Sequence, residues 1–333
     1  MTQATIDPAT QFLERAQQAI DRIDWKQRLQ AAALFEANPS ISKKELFGGF
    51  DDEQWRWIST AGVEENESLA RCLPPLPAKE VQLRFTGDSG RSTLQRAFAV
   101  YSRLRELCGT HHVALHRVLE FGCGWGRILR FFVRDLEPEN IFGIDVHPEM
   151  TALCNSGTPW AQVTRCQPQP PAALADQHFD LIYAYSVFTH LSEAAHVAWL
   201  AEFDRLLRPG GLLVLTTRPR GFIEMCARYR ASNDTSPWMR GLKKAFPDPA
   251  KTLADYDQGR FIFAPVGGGD FLPSAFYGEA CVPLSYVQRV WVKQFELCEA
   301  EEAEDFQLFV VLRKPSPAGL VSGNSAEATG KTA

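Results

Sequence analysis

The stretch 116–217 constrains this chain most, because its apolar segments alternate with helical ones in a regular rhythm. HRVLEF at 116–121 is a short apolar strand, followed by a glycine-rich turn and the apolar helical run ILRFFVRDL. NIFGID gives a second strand and HPEMTALC a second helix; AQVTRC and FDLIYAYS give two more strands. EAAHVAWLAEFDRLL is helical up to Pro209-Gly210, and GLLVLTT is a fifth strand. Strands separated by helical crossovers form a parallel sheet covered on both faces. The fold class expected is therefore α/β, doubly wound, with a mostly parallel sheet.

Outside this stretch the texture differs. Residues 5–37 carry Phe12, Ala16, Ala19, Ile20 and Ile23 at near-helical spacing, with a stop at Asn38-Pro39. Short helices are expected at 42–47 and 51–59, and CLPPLP at 72–77 is a stiff, extended connector. A longer helix is expected from Thr93 to Cys108. After Thr217 the alternation breaks for about 60 residues, then resumes with a helix near 284–291 and strands near 292–299 and 305–312. The acidic EAEEAED between those strands is expected to be a solvated hairpin turn. The last segment, 315–333, has the composition of a disordered tail. The domain organisation expected is a helical extension or cap at 1–111, a catalytic domain at 112–314 carrying a 218–280 insertion, and the 315–333 tail.

Composition narrows the class. Hydrophobic residues make up 45% and the net charge is −5, an ordinary globular balance that gives no global reason to expect nucleic acid. No run approaches the roughly 18 apolar residues of a membrane span. The start, MTQATIDPATQFLERAQQ, lacks the basic end and apolar core of a secretory leader. The eight cysteines are scattered without C-x-x-C spacing, which argues against a zinc knuckle and for a reducing, cytoplasmic setting. No His/Asp cluster has obvious metal spacing, so no metal ligand is assigned.

The loop VLEFGCGWGRIL at 118–129 carries the chemistry. Gly122, Gly124 and Gly126 stand between a strand and a helix, where backbone must approach a ligand and a Cβ would obstruct it. Dinucleotide enzymes favour G-x-G-x-x-G, but Arg127 occupies the sixth position here. The pattern is Glu-x-Gly-x-Gly-x-Gly, with Asp145 ending the next strand 19 residues after Gly126.

That pattern resembles motif I of the class I S-adenosylmethionine-dependent methyltransferases. FDLIYAYSVFTHL resembles the family's fourth strand and following loop, LLRPGGLLVLTT its fifth strand, and QFELCEAE with DFQLFVVLRK its terminal hairpin. The resemblance covers about 112–217 and 281–314 and implies a Rossmann-like, seven-stranded sheet with S-adenosyl-L-methionine as cofactor. It implies that Glu120 and the backbone of Phe121, Gly122, Cys123, Gly124 and Gly126 hold the methionine portion. Asp145, with Val146 alongside, would bind the ribose. Gln167, in CQPQPP where many members carry an acidic residue, is the adenine candidate. Trp125 either shapes the methionine pocket or packs on the helix.

The loop after the fourth strand, Tyr185-Ser186-Val187-Phe188-Thr189-His190, would face the methyl group. His190 is the candidate general base, since its ordinary pKa lies near working pH; the alternative is a histidine that orients the next helix. Tyr185 either stacks near the sulfonium or ends the buried strand. No Asn-Pro-Pro-Tyr or Asp-Pro-Pro-Tyr stands here, which favours oxygen over amino acceptors.

The acceptor side falls to 1–111 and 218–280. Between 218 and 251 eight basic residues (Arg218, Arg220, Arg228, Arg230, Arg240, Lys243, Lys244 and Lys251) face three acidic ones, with Tyr229, Trp238 and Phe246 interleaved. One reading is a site for an anionic or carrier-linked acceptor; the other is a solvated loop with snorkelling side chains. SAFYGEACVPLSYVQRVWVKQFELCEA, with LPPLPAKEVQLRFTG and SVFTHL, resembles a bacterial methyltransferase subgroup associated with glycan and surface-polymer synthesis, with Phe276, Tyr277 and Gly278 closing over the pocket. The expectation is O-methylation of a sugar, glycan or other small molecule. A natural-product or protein side-chain methyltransferase and a non-catalytic cofactor-binding module are the rivals. The oligomeric state is not legible in the sequence.

Overall fold

The computed structural model describes residues 41–156, 159–230, 233, 237–267, 272–303 and 306–316. The helix expected at 5–37 and most of the expected tail lie outside them.

Seven strands form one sheet in the order β3-β2-β1-β4-β5-β9-β8. They are β1 (Val118–Phe121), β2 (Ile141–Asp145), β3 (Gln162–Arg165), β4 (Phe179–Ala184), β5 (Leu207–Thr217), β8 (Glu296–Ala303) and β9 (Gln307–Arg313). β2 and β3 pair in parallel, as do β1 with β4 and β4 with β5; β9 runs antiparallel to β5 and β8 antiparallel to β9. β6 (Ile262–Ala264) and β7 (Glu279–Cys281) form a separate antiparallel pair. The fold is the mostly parallel, seven-stranded, Rossmann-like sheet with an antiparallel hairpin at one edge.

The chain divides into two compact units. One comprises residues up to Leu107 with Cys123–Arg165; the other comprises Cys108–Gly122 with the chain from Cys166 onward. In the first unit, helices Lys43–Phe47 and Asp52–Trp57 each begin with a capping box, on Ser42 and on Asp51. The proline connector is gripped by Arg130, whose guanidinium donates to the Pro74 carbonyl and, at 3.4 Å, to that of Pro75. That side chain is 2% exposed, and burial holds its pKa down to about 9. Helix Lys79–Thr86 follows, ending on Gly87 in the left-handed region, and then helix Gly90–Thr110. The run expected as the helix ILRFFVRDL is instead a 3-10 turn over Leu129–Arg134, with Phe131 N donating to Ile128 O at 3.1 Å. Every residue of it is buried, so no solvent face imposes the 3.6-residue period.

In the second unit, helix Glu193–Leu206 lays Ala195, His196, Trp199 and Phe203 inward, and Phe121 meets Trp199 at 4.2 Å and Phe203 at 5.3 Å between ring centroids. β5 begins before the expected glycine pair. Phe179 pairs with Leu207 and Leu181 with Leu212, so Pro209-Gly210 sits in a bulge, where a missing amide costs no ladder bond. The acidic stretch is also corrected: Glu299, Glu301 and Glu302 belong to β8, opposite Val311, Phe309 and Leu308. β8 is an edge strand, and carboxylates there discourage pairing with another chain. The insertion folds into helices Arg220–Tyr229, Pro237–Lys244 and Pro249–Asp257, which share an apolar cluster including Phe222, Cys226, Leu242 and Phe246 with β6 and Cys281 of β7.

Candidate functional site

In the first unit the glycine loop and the end of β2 are tied together. Gly124 N donates to Asp145 Oδ2 at 2.7 Å, and His147 N donates to Oδ1 at 2.7 Å. Cys123 N donates to Ile144 O at 3.2 Å, and Gly126 N to Cys123 O at 2.8 Å. Burial pushes the Asp145 carboxyl above the usual aspartate range, the amide donors pulling the other way. Val146 follows, its carbonyl taking the Arg165 Nε hydrogen at 3.2 Å.

The glycines of this loop differ in kind. Gly126 has φ +74° and its side-chain position is filled, with Trp160 Cη2 2.6 Å from where a Cβ would lie. Gly124 has φ +53° and nothing within 4 Å of that position. Gly124 is thus a left-handed glycine facing open space beside a half-buried carboxylate, where backbone is accessible. The Cys123 side chain is buried and Trp125 is 3% exposed, its indole Nε1 without a hydrogen-bond partner among the described residues.

The remaining candidates belong to the second unit. Glu120 is 3% exposed on β1, in register with Tyr183 of β4. Phe121 turns its ring into the core. Val187 Cγ2 lies 2.5 Å from the Cβ position of Gly122, so that residue also tolerates no side chain. Gln167 is exposed just past β3. Tyr185 is half-buried with its ring 6.0 Å from Phe309. Ser186 next to it has φ +60°, and its amide donates to Thr216 Oγ1 at 2.7 Å.

His190 is held by three neighbours, Tyr277 and Gly278 before β7 and Glu279 at its start. Its Nδ1 lies 2.8 Å from Gly278 O and 3.6 Å from Glu279 Oε2, and Tyr277 stacks on the ring at 5.0 Å and 12°. A carbonyl only accepts, so Nδ1 carries the hydrogen and Nε2 the lone pair. Glu279 did not emerge from the sequence; its only signal was a lone acidic residue in the apolar run SAFYGEACVPL. Among the described residues no group of three or more His, Cys, Asp or Glu is arranged to hold a metal ion, and no helix is long and apolar enough to cross a membrane.

The basic insertion is largely spent on itself. Arg220 pairs with Asp257 and Glu224, Lys251 with Asp255, and Arg230 donates to the carbonyls of Lys243, Ala245, Phe246 and Pro247. Arg218 lies over the Phe222 ring at 4.3 Å.

Residues 118–211 match a family model described as a methyltransferase domain. Over 149 residues the chain is 30% identical to the biotin biosynthesis bifunctional protein BioCD of Bordetella avium, covering 43% of this chain and 31% of that protein. Over 143 residues it is 29% identical to phthiotriol/phenolphthiotriol dimycocerosates methyltransferase 1 of Mycobacterium ulcerans, 40% of this chain and 46% of the relative. A solved S-adenosylmethionine-dependent methyltransferase from Clostridium acetobutylicum superposes with a TM-score of 0.46 at 12% identity, over 72% of this chain and 98% of that one. The chain spans less than half the length of these two curated relatives.

Proposed function

We propose that this chain, a member of the class I S-adenosylmethionine-dependent methyltransferases, transfers a methyl group to an oxygen of a sugar, glycan or other small acceptor, with His190 as the base. The observation that carries the reading is the His190 tautomer: Nδ1 is committed to Gly278 O at 2.8 Å, which leaves the basic lone pair on Nε2. An oxygen nucleophile needs to lose a proton during transfer, and an imidazole lone pair is a suitable acceptor for it.

The cofactor fits the residues present. Open space at Gly124 admits a ligand against the backbone, and Asp145, oriented by two amides, keeps lone pairs for the ribose hydroxyls. Glu120 and the Phe121–Gly126 backbone, including Gly122 and Cys123, would order the methionine portion. Val146 would flank the ribose, Gln167 the adenine and Tyr185 the sulfonium. When bound, S-adenosylmethionine supplies an electrophilic methyl carbon with a thioether as leaving group. The protein's part is alignment, exclusion of water and the proton held at His190 Nε2.

Acceptor choice is assigned to the 1–111 extension and the 218–280 insertion within a catalytic domain spanning 112–314. The relatives' names indicate chemically unlike products, so the shared core does not select one. A cytoplasmic setting is supported by eight free cysteines, six of them buried. The test is incubation with methyl-labelled S-adenosylmethionine and pooled glycans, phosphosugars and small hydroxylated metabolites, read by mass spectrometry. An O-methylated product that His190→Ala abolishes supports the reading. A methylated nitrogen or protein side chain moves it to the rival acceptors, and S-adenosylhomocysteine released with no acceptor modified moves it to the binding module.

A further inference from the structure

His190 and Glu279 are distant in sequence and adjacent in the second unit. Gly278 N donates to His190 O at 2.8 Å, Ala280 N donates to Thr189 O at 2.8 Å, and Leu191 bridges antiparallel to Tyr277. These backbone bonds clamp 189–191 against 277–280, and that register brings Glu279 Oε2 to 3.6 Å from His190 Nδ1. Glu279 is only 7% exposed, and its Oε2 has no hydrogen-bond partner among the described residues. A carboxylate so buried is costly unless a positive charge appears beside it. The His190 imidazole, 3.6 Å away, can supply such a charge on protonation, in addition to the permanent charge of Arg218 nearby.

We propose that Glu279 is the positioning residue of His190: with the Gly278 carbonyl it holds Nδ1–H inward, and its carboxylate stabilises the imidazolium formed when Nε2 takes a proton. The proposal deepens the His190 reading and rests on it. In the step concerned, the acceptor's O–H proton would pass to Nε2 while the oxygen's electron pair forms the new bond to the methyl carbon and the carbon–sulfur pair leaves with the thioether. The imidazolium later releases that proton to solvent. Glu279 changes no covalent bond.

Other titratable groups surround the pair. Tyr277 presents its ring face to the imidazole. Arg218, just past β5, keeps its charge throughout, and it and Glu279 act with opposite sign on the Cys226 and Cys281 thiols. Burial pushes the Cys226 thiol up to about 12 and raises Cys281 well above the ordinary thiol value, so both thiols stay neutral at neutral pH.

The experiment is an imidazole ¹⁵N titration of the full chain, His190 being assigned by the resonance lost in His190→Gln. It reads the ring directly and needs no acceptor, so its failure is separable from failure of the methyltransferase reading. The expected result is an Nδ1–H tautomer in the neutral ring. The His190 pKa should fall by roughly one to two units in Glu279→Gln and by less in Glu279→Asp. An Nε2–H tautomer, or a His190 pKa unchanged in either folded variant, overturns the proposal. Should Glu279→Gln not fold, the Glu279→Asp value decides.

Discussion

The carboxylate of Asp145 accepts the Gly124 amide hydrogen at 2.7 Å, joining the end of β2 to the middle of the glycine loop within one compact unit. The same carboxylate takes the His147 amide on its other oxygen. Strand end and loop are thus set before any ligand arrives, which limits the ordering that binding must still bring about.

Cofactor affinity should depend on pH through Asp145. Burial raises its folded pKa above the unfolded value near 3.9. Its contribution to stability is therefore full below the unfolded pKa and lost as pH rises through the folded one, so the ionised group is a cost to the ligand-free protein at neutral pH. Ribose hydroxyls donating to the carboxylate would offset that cost. The dissociation constant for S-adenosylhomocysteine, measured by calorimetry, should fall as pH rises through that folded pKa. Asp145→Ala should bind about 10- to 100-fold more weakly and lose the pH dependence. An unchanged slope would remove Asp145 from the site.

Two glycines of the loop should respond differently to the same change. Gly126→Ala adds left-handed strain of about 1–2 kcal/mol and drives a methyl into Trp160, so its main effect is a lower thermal midpoint. Gly124→Ala carries similar strain but meets open space. Its loss should be smaller in stability and much larger in cofactor binding, because the methyl occupies that space. Thermal melts with and without S-adenosylhomocysteine separate the two: ligand should stabilise Gly126→Ala and leave Gly124→Ala unmoved.

The glycine loop, the strand that Asp145 ends and the strand–helix alternation of the core were legible because each is written in local sequence: an apolar run, a turn residue, an acidic strand end. Features set by distant partners were not. The helix Lys79–Thr86 follows a proline run that suggested only extended chain. The acidic second half of β8 reads as a turn in the sequence, because edge strands tolerate charge that a central strand would exclude. Glu279 gained meaning only when the chain returned to His190 through backbone bonds that no local pattern announces. His196 and Arg230 belong to the same class, since their roles depend on carbonyls elsewhere in the chain.

His196 should make the second unit acid-sensitive. The side chain is fully buried; Nε2 donates to Phe188 O at 2.8 Å and thereby sets the loop that carries His190. Phe188, Phe261 and Trp291 surround the ring at 4.4, 4.8 and 5.6 Å, and burial lowers its pKa to about 3. The fold therefore requires the neutral imidazole. Its stabilising effect is complete above the unfolded pKa near 6.5 and is lost as pH falls toward the folded value, at up to about 1.4 kcal/mol per pH unit. The urea midpoint should decline between roughly pH 6.5 and 4, and His196→Gln, which keeps a donor for Phe188, should flatten that decline. Parallel slopes in the two proteins would show that His196 is not the group responsible.

Arg230 should govern the insertion's stability, whereas Arg228 should affect acceptor binding if any basic residue there does. Arg230 donates to four carbonyls at the end of helix Pro237–Lys244, including that of Phe246, which itself sits at φ +52°. These bonds satisfy acceptors that a helix C-terminus leaves open and place positive charge where the helix dipole favours it. Arg230→Ala should lower stability by about 1–3 kcal/mol, seen first as proteolytic cleavage within 218–280. Arg228 is exposed on helix Arg220–Tyr229, and Arg228→Ala should stay within about 0.5 kcal/mol of the parent. An anionic acceptor would then reveal itself as a KM that rises with salt in the parent and rises less steeply in Arg228→Ala. Equal salt dependence in the two would leave the insertion's positive charge a matter of folding alone.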